Sequence, residues 1–165
     1  MPLYFDARHL PQPTSEYVAW VDVMGTQASM SRSLKITANF MFKLHAAALQ
    51  APRTNVRVYP VMDGFYASAT DKTEITNFLR SVFSAVAEEF NGQSDNQFRF
   101  LIRGGLAYGP TVHGSSIPQQ ASNTMHQNSA YCDALLLGMP MVQAHLSETS
   151  APPFGVYIHE SARAF

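Results

Sequence analysis

Two apolar runs, each closed by an aspartate and a glycine-bearing turn, constrain this chain more than any other feature. The first reads Tyr17-Val18-Ala19-Trp20-Val21-Asp22-Val23-Met24-Gly25, the second Val56-Arg57-Val58-Tyr59-Pro60-Val61-Met62-Asp63-Gly64-Phe65. Runs of this length and composition are strands with at least one covered face. A carboxylate at the end of such a strand cannot stay buried and ionised without a partner. Two of them beside tight turns point to hard oxygen ligands for a divalent cation. Paired cations there would organise a polyphosphate for an in-line displacement.

The elements between these runs set the fold class. After strand one (17–23) comes a polar stretch, 26–33, and then a helix over about 33–50. Ile36, Phe40, Leu44 and Ala48 recur every fourth residue there, and Pro52 ends it. Strands 55–61 and 65–69 form a hairpin around Met62-Asp63-Gly64, with Gly64 free to take a positive φ. Asp71-Lys72-Thr73-Glu74 reads as a capping box. The second helix then carries Ile75, Phe78, Leu79, Val82, Phe83, Val86 and Phe90 on one face and ends at Asn91-Gly92. Strand four (98–107) leads through Gly109-Pro110 to a short strand, 111–114. A long polar loop (115–129) follows, then a third helix (about 130–148) interrupted near Gly138 and Pro140, and a last strand (154–159). Gly104, Gly105 and Gly109 permit close packing or a bulge. The order β-α-β-β-α-β is the ferredoxin-like α+β arrangement, an antiparallel sheet with helices on one face. It places both aspartates at one edge of adjacent central strands.

Composition narrows the partners. The chain has 165 residues, enough for one domain with a real core, read as an extended lead-in over 1–16 and a single domain over 17–165. Hydrophobic residues make up 46% and charged residues only 14%, so the weakly charged surface points to an oligomeric interface. A net charge of −1 gives no footprint for nucleic acid. The single cysteine, Cys132, reads as a small buried hydrophobe and fits a reducing, cytoplasmic setting. Asp6, Arg8 and His9 near the start do not suit a signal peptide, and no stretch reaches the roughly 20 apolar residues of a membrane helix.

Three blocks carry a family resemblance. Asp22-Val23-Met24-Gly25 is similar to the Asp-Ile-x-Gly block of the class III nucleotide cyclase catalytic domain. Tyr59-Pro60-Val61-Met62-Asp63-Gly64 is similar to its Lys-x-x-Gly-Asp hairpin. Arg103-Gly104-Gly105-Leu106-Ala107-Tyr108-Gly109 is similar to its Arg-x-Gly-Ile-x-x-Gly strand. The resemblance spans roughly residues 17–160. It implies that Asp22 and Asp63, with the Val23 carbonyl, hold two Mg2+ or Mn2+ ions. One ion would activate the ribose 3′-hydroxyl and the other would neutralise the triphosphate. The hydroxyl attacks the α-phosphorus and pyrophosphate leaves. Met24, Gly25 and Thr26 would present backbone N–H groups to the phosphates. It also implies a homodimer whose active sites lie between two chains.

The departures from that pattern point to the base. The charged residue that reads a purine edge is Tyr59 here, and the second base-reading position falls near Leu135. Tyrosine at this place resembles the bacterial pyrimidine cyclases of antiphage defence, which make cyclic UMP or cyclic CMP for a separate effector protein. The usual Asn-x-x-x-Arg helix has Val142 and Leu146 at its two positions, which leaves Gln143, His145 or Arg103 to assist the transition state. The late phosphate-binding lysine of the family has no match. The expected substrate is therefore UTP or CTP, bound by Tyr59, Met24, Gly25, Thr26, Arg103, Leu135 and Gln143. The alternatives are a purine cyclase with unusual base recognition, and a nucleotide-binding dimer module without turnover. A phosphotransferase or polymerase palm shares the topology, but the chain has no basic template groove.

Overall fold

The structure is a computed structural model that describes residues 4–163. Its centre is a curled sheet of six strands. They are β1 (Thr14–Val23), β2 (Arg57–Val61), β3 (Gly64–Ala69), β4 (Ile102–His113), β5 (Leu136–Gly138) and β6 (Val156–Ile158). The order is β2-β3-β1-β4-β5, antiparallel throughout, with β6 added parallel to β4. The helices are α1 (Thr26–Arg32), α2 (Leu34–Gln50), α3 (Lys72–Gly92), α4 (Asn123–His126), α5 (Ser129–Asp133), α6 (Met139–Glu148) and α7 (Glu160–Arg163).

Strand alternation divides the molecule into two layers of contact. Tyr17, Ala19, Val21 and Val23 of β1 face the main core with Phe40 and Leu44 of α2 and Ile75, Phe78 and Val82 of α3. Trp20, one residue out of phase with that set, packs with Ala107 of β4 and Ala144 of α6. The helices therefore do not share one face. α2 and α3 cover one side, and α6 lies across β1 and β4 on the other.

Several local expectations change for identifiable reasons. The polar stretch after Gly25 is the helix α1, started by Gly25 in the left-handed region (φ 72). Strand four does not break at Gly109-Pro110. Gly105 lets the α6 backbone approach, since a Cβ there would stand 2.0 Å from the Ala144 carbonyl oxygen, and β4 runs on through Pro110 to His113. The third helix is two helices, because residues 136–138 pair with Thr111–His113 as β5 between them. The 115–129 loop contains α4, and the last strand is shorter than expected. The lead-in holds a 3-10 turn at Ala7–His9, and β1 begins at Thr14. Gly64 does not use a positive φ. It is needed because a Cβ would meet the Val21 carbonyl oxygen at 2.3 Å and the Trp20 ring at 2.9 Å.

Candidate active site

Asp22 ends β1 on the same face as Trp20, between Gly64 of β3 and Arg103 of β4 in the register. Asp63 sits in the two-residue turn between β2 and β3. The Val23 N–H donates to the Asp63 carbonyl at 3.0 Å, which ties the two turns together. The Met24 N–H is fixed by the Leu101 carbonyl at 2.8 Å, and the buried Thr26 hydroxyl donates to the Val23 carbonyl at 2.7 Å. Asp22, Val23, Met24, Gly25, Thr26 and Asp63 are thus brought to one end of the sheet.

Two charged groups complete this end. Arg103 Nε donates to Glu148 Oε1, and Glu148 is buried at the last turn of α6. Burial pushes the Asp22 carboxyl up, and the nearby charges of Glu148 and then Asp63 push it further, against the opposing pull of Arg103, to about 7. Three carboxyl groups therefore face one guanidinium, a field that favours a cation. Oδ1 of Asp22 is buried without a hydrogen-bond partner, an arrangement that costs free energy until something positive or donating reaches it. Hard divalent cations suit this donor set. Among the described residues no group of three or more His, Cys, Asp or Glu is arranged to hold a metal. Asp22, Asp63 and the Val23 carbonyl are the groups at this end that could hold such an ion, with phosphate and water oxygens making up the rest, as is usual for Mg2+.

A second polar cluster lies at the other end of β1. Glu16 Oε2 accepts from the Thr111 hydroxyl at 3.0 Å and stands 2.9 Å from His113 Nε2. His113 Nδ1 meets the Tyr59 hydroxyl. All four side chains are buried. Leu135 is adjacent, with its carbonyl accepting from the Gly114 N–H at 2.9 Å. Tyr59 and Leu135, far apart in sequence, therefore both come to the His113-Gly114 segment. Glu16 is six residues from Asp22 along β1, about 20 Å of extended strand. Gln143 is half-buried on α6, and His145 sets its ring against Trp20 at 5.3 Å.

Glu16, His113 and Glu148 are polar residues that reading the motifs missed. Period-two alternation was the available signal for two of them. Glu16 shares a face with Trp20 and Asp22, and His113 shares one with Arg103. Nothing in the α6 sequence marks Glu148, whose burial depends on the glycine that lets the helix close on β4.

No protein-family model matches the chain, and no curated protein matches it by sequence. Solved structures do match; several are guanylyl or adenylyl cyclases, and an EAL/GGDEF domain protein from M. capsulatus also aligns, at a TM-score of 0.53 and 14% identity. The guanylyl cyclase domain of the RhoGC fusion protein from the aquatic fungus Blastocladiella emersonii, a monomeric double mutant, aligns with a TM-score of 0.64 at 17% identity, covering 94% of this chain and 84% of that one. The same domain is also known as a dimer. The guanylate cyclase domain of RhGC from Catenaria anguillulae in complex with GTP aligns at 0.61 and 16% identity, covering 93% and 82%. A bacterial light-regulated adenylyl cyclase aligns at 0.60 and 14% identity, covering 87% of this chain and 42% of that one. The fold is that of the class III nucleotide cyclase catalytic domain. Among the described residues no helix is long and apolar enough to cross a membrane.

Proposed function

We propose that this chain is the catalytic domain of a pyrimidine nucleotide cyclase. It converts UTP or CTP to the 3′,5′-cyclic monophosphate and pyrophosphate, and the cyclic product signals to a separate effector, as in the antiphage systems the sequence resembles. The observation that carries the reading is the pairing of Asp22 with Asp63 at one sheet end, with Asp22 Oδ1 buried and unpartnered, in a class III cyclase fold.

Asp22, Asp63 and the Val23 carbonyl hold Mg2+ or Mn2+, two ions per site. When bound, the ions supply the positive charge that acidifies the 3′-hydroxyl and offsets the triphosphate. The turn Met24-Gly25-Thr26 lies against the phosphates. Glu148 holds Arg103 beside Asp22, so that its guanidinium limits repulsion between the carboxylates. The O3′–Pα bond forms, the bond from Pα to the bridging oxygen breaks, and the hydroxyl proton leaves to solvent. Catalysis here is positioning and charge placement.

The active unit is a homodimer. Leu137, Met139, Val142 and Leu146 are exposed on β5 and α6, an apolar strip suited to a second copy. Tyr59 lies level with Trp20 in the register, and its hydroxyl turns to His113 beside Glu16 rather than to Asp22, so each nucleotide is gripped by the carboxylates of one chain and the base-reading set of its partner. Tyr59 shortens the base slot and favours a one-ring base. A cyclase acting on ATP or GTP is the second reading. It is favoured by the structural neighbours, which are named as guanylyl and adenylyl cyclases.

The test is incubation of the protein with each of the four nucleoside triphosphates and Mn2+, with products separated and identified. Cyclic UMP or cyclic CMP as the fastest-formed product is expected. Tyr59→Ala should lower that rate and weaken discrimination. Cyclic AMP or cyclic GMP formed as fast as either pyrimidine product would replace this reading by the purine one.

A further inference from the structure

A cavity of about 480 Å3 begins at Gly25, in the turn that follows Asp22. One face of α1 lines it, where Gly25, Ala28, Ser29 and Arg32 recur at helical spacing. The segment before β4 lines it with Asn96, Gln97 and Arg99, and α2 adds Ile36 and Phe40. Val23 pairs with Ile102, and the Met24 N–H with the Leu101 carbonyl, so the chain leading back to Arg99 runs beside the turn. Arg32 is exposed at the last turn of α1, and its guanidinium has no hydrogen bond or ion pair among the described residues. Arg99 donates from Nε to the Gln93 carbonyl at 2.9 Å and lies over the Phe90 ring at 5.3 Å. Its stem is thereby held, and no carboxylate among the described residues pairs with it. Asp95, in the same segment, is taken up by Gln97, whose N–H and side-chain amide donate to it at 3.0 and 2.6 Å. No acidic side chain is among the described residues that line the cavity. Lys35 and the Glu89-paired Lys43 line an adjoining cavity that shares Ser33 and Ile36 with it. On a chain of net charge −1 this is a local concentration of cations, with a field that draws an anion.

We propose that Arg32 and Arg99 form a binding site for a polyphosphate in this cavity. A guanidinium fork pairs with anionic oxygens through two parallel hydrogen bonds. A single carboxylate is satisfied by one such fork. Two forks without carboxylate partners, lining one cavity, suit an anion with several phosphorus centres. A Cβ at Gly25 would meet nothing within 4 Å, so space is open at the turn itself. Two sources carry this chemistry. One is the β,γ-phosphate tail of the nucleotide, which becomes pyrophosphate when it leaves. The other is a separate polyphosphate that binds beside the site as an effector. The Met24-Gly25-Thr26 turn, set against the phosphates in the cyclase reading, favours the nucleotide tail. The site needs only the two arginines and their cavity, whereas its assignment to the tail rests on the cyclase reading. In that role the arginines offset the charge that builds on the leaving pyrophosphate, while the carboxylate end holds the cations.

The first measurement is calorimetric titration of the full chain with inorganic pyrophosphate, in chelator. Without a cation the carboxylates around Asp22 repel the probe, so the heat reports the arginines. Saturable binding that weakens as salt is raised is expected. Arg32→Gln should weaken it about tenfold, since a charge-assisted hydrogen bond is worth at least that much. Arg32 is exposed and unpaired, so this variant should melt as the wild type does. Arg99→Lys, which keeps the charge and loses the fork, should weaken binding by less than Arg99→Gln. Arg53→Gln removes an exposed cation that does not line the cavity, and should leave the affinity unchanged. Absence of saturable binding to the wild type overturns the proposal. So does an Arg32→Gln affinity equal to the wild type, or an equal loss in Arg53→Gln. The second measurement, in Mn2+, distinguishes the two sources. It uses the 3′-deoxy triphosphate and 3′-deoxy monophosphate of the preferred nucleotide, neither of which can cyclise. Arg32→Gln weakening the triphosphate about tenfold and the monophosphate not at all assigns the nucleotide tail. Unchanged triphosphate binding beside weakened pyrophosphate binding assigns a separate polyphosphate. Because the titration needs no turnover, a protein without cyclase activity can still show the site. A failed titration in turn leaves the reading of Asp22 and Asp63 untouched.

Discussion

Asp22 carries a cost that the rest of the chain tolerates, and the cost has a pH signature. Its carboxyl is raised from an ordinary 3.8 to about 7, first by burial and then by Glu148 and Asp63. Between these values the folded state holds a proton that the unfolded state has lost. Stability from this group therefore falls as pH rises from about 4 to about 7, and the full penalty stands above that. Asp22→Asn removes the penalty. In chelator, the melting temperature of the variant should exceed that of the wild type by a margin that grows over this range and then levels. A margin independent of pH would show that Asp22 titrates normally. Added Mn2+ should narrow the gap, since it stabilises only the ionised site. The placement of both aspartates at one end of the sheet was legible from their strand-end positions. Glu148 was not, because its burial comes from a helix–sheet contact that no local pattern in α6 announces.

The elements hold the site together through a few close approaches. α6 reaches β4 only because residue 105 has no side chain. That contact buries Glu148, which in turn fixes Arg103 beside Asp22. Gly105→Ala forces a methyl into the Ala144 carbonyl and should destabilise the fold by about 1–3 kcal/mol, the range of an overpacked core. Activity should fall further than stability predicts at temperatures where the variant is fully folded, because the helix must shift outward. Denaturant unfolding paired with rate measurements on the folded variant tests this, and an unchanged rate would free α6 from any part in the site. Most elements could be read in the sequence. α2 and α3 follow from their four-residue stripes and caps, as Asp71 accepting from the Glu74 N–H illustrates. The errors cluster where tertiary contact overrode local signals. Gly109-Pro110 looked like a break, yet pairing with β1 carries the strand through it. Residues 136–138 read as helix, yet β4 recruits them as a strand.

For the whole molecule the account requires two chains per active site. Met139, Val142 and Leu146 recur on the outer side of α6 and give the second copy an apolar seat. Mixing Asp22→Asn with Tyr59→Ala should rebuild one intact site in each heterodimer. A one-to-one mixture would then recover about a quarter of wild-type activity, while each variant alone stays low. No recovery, with heterodimers demonstrated by mass, would place all the groups of a site on one chain. The α+β class and the ferredoxin-like order were legible because strand and helix periodicities differ clearly along the chain. The placement of α6 on the opposite face was not, since only long-range packing decides which side of a sheet a helix covers. The claim on which all of this depends is that Asp22 and Asp63 support cyclisation. It is tested most directly with UTP and CTP labelled at the α-phosphate, in Mn2+, by following cyclic product and pyrophosphate together. One pyrophosphate is expected for each 3′,5′-cyclic monophosphate from the wild-type protein. Asp22→Asn and Asp63→Asn should each lose about 100-fold or more, with both variants folded. Wild-type rates of cyclic product from either folded variant would contradict it.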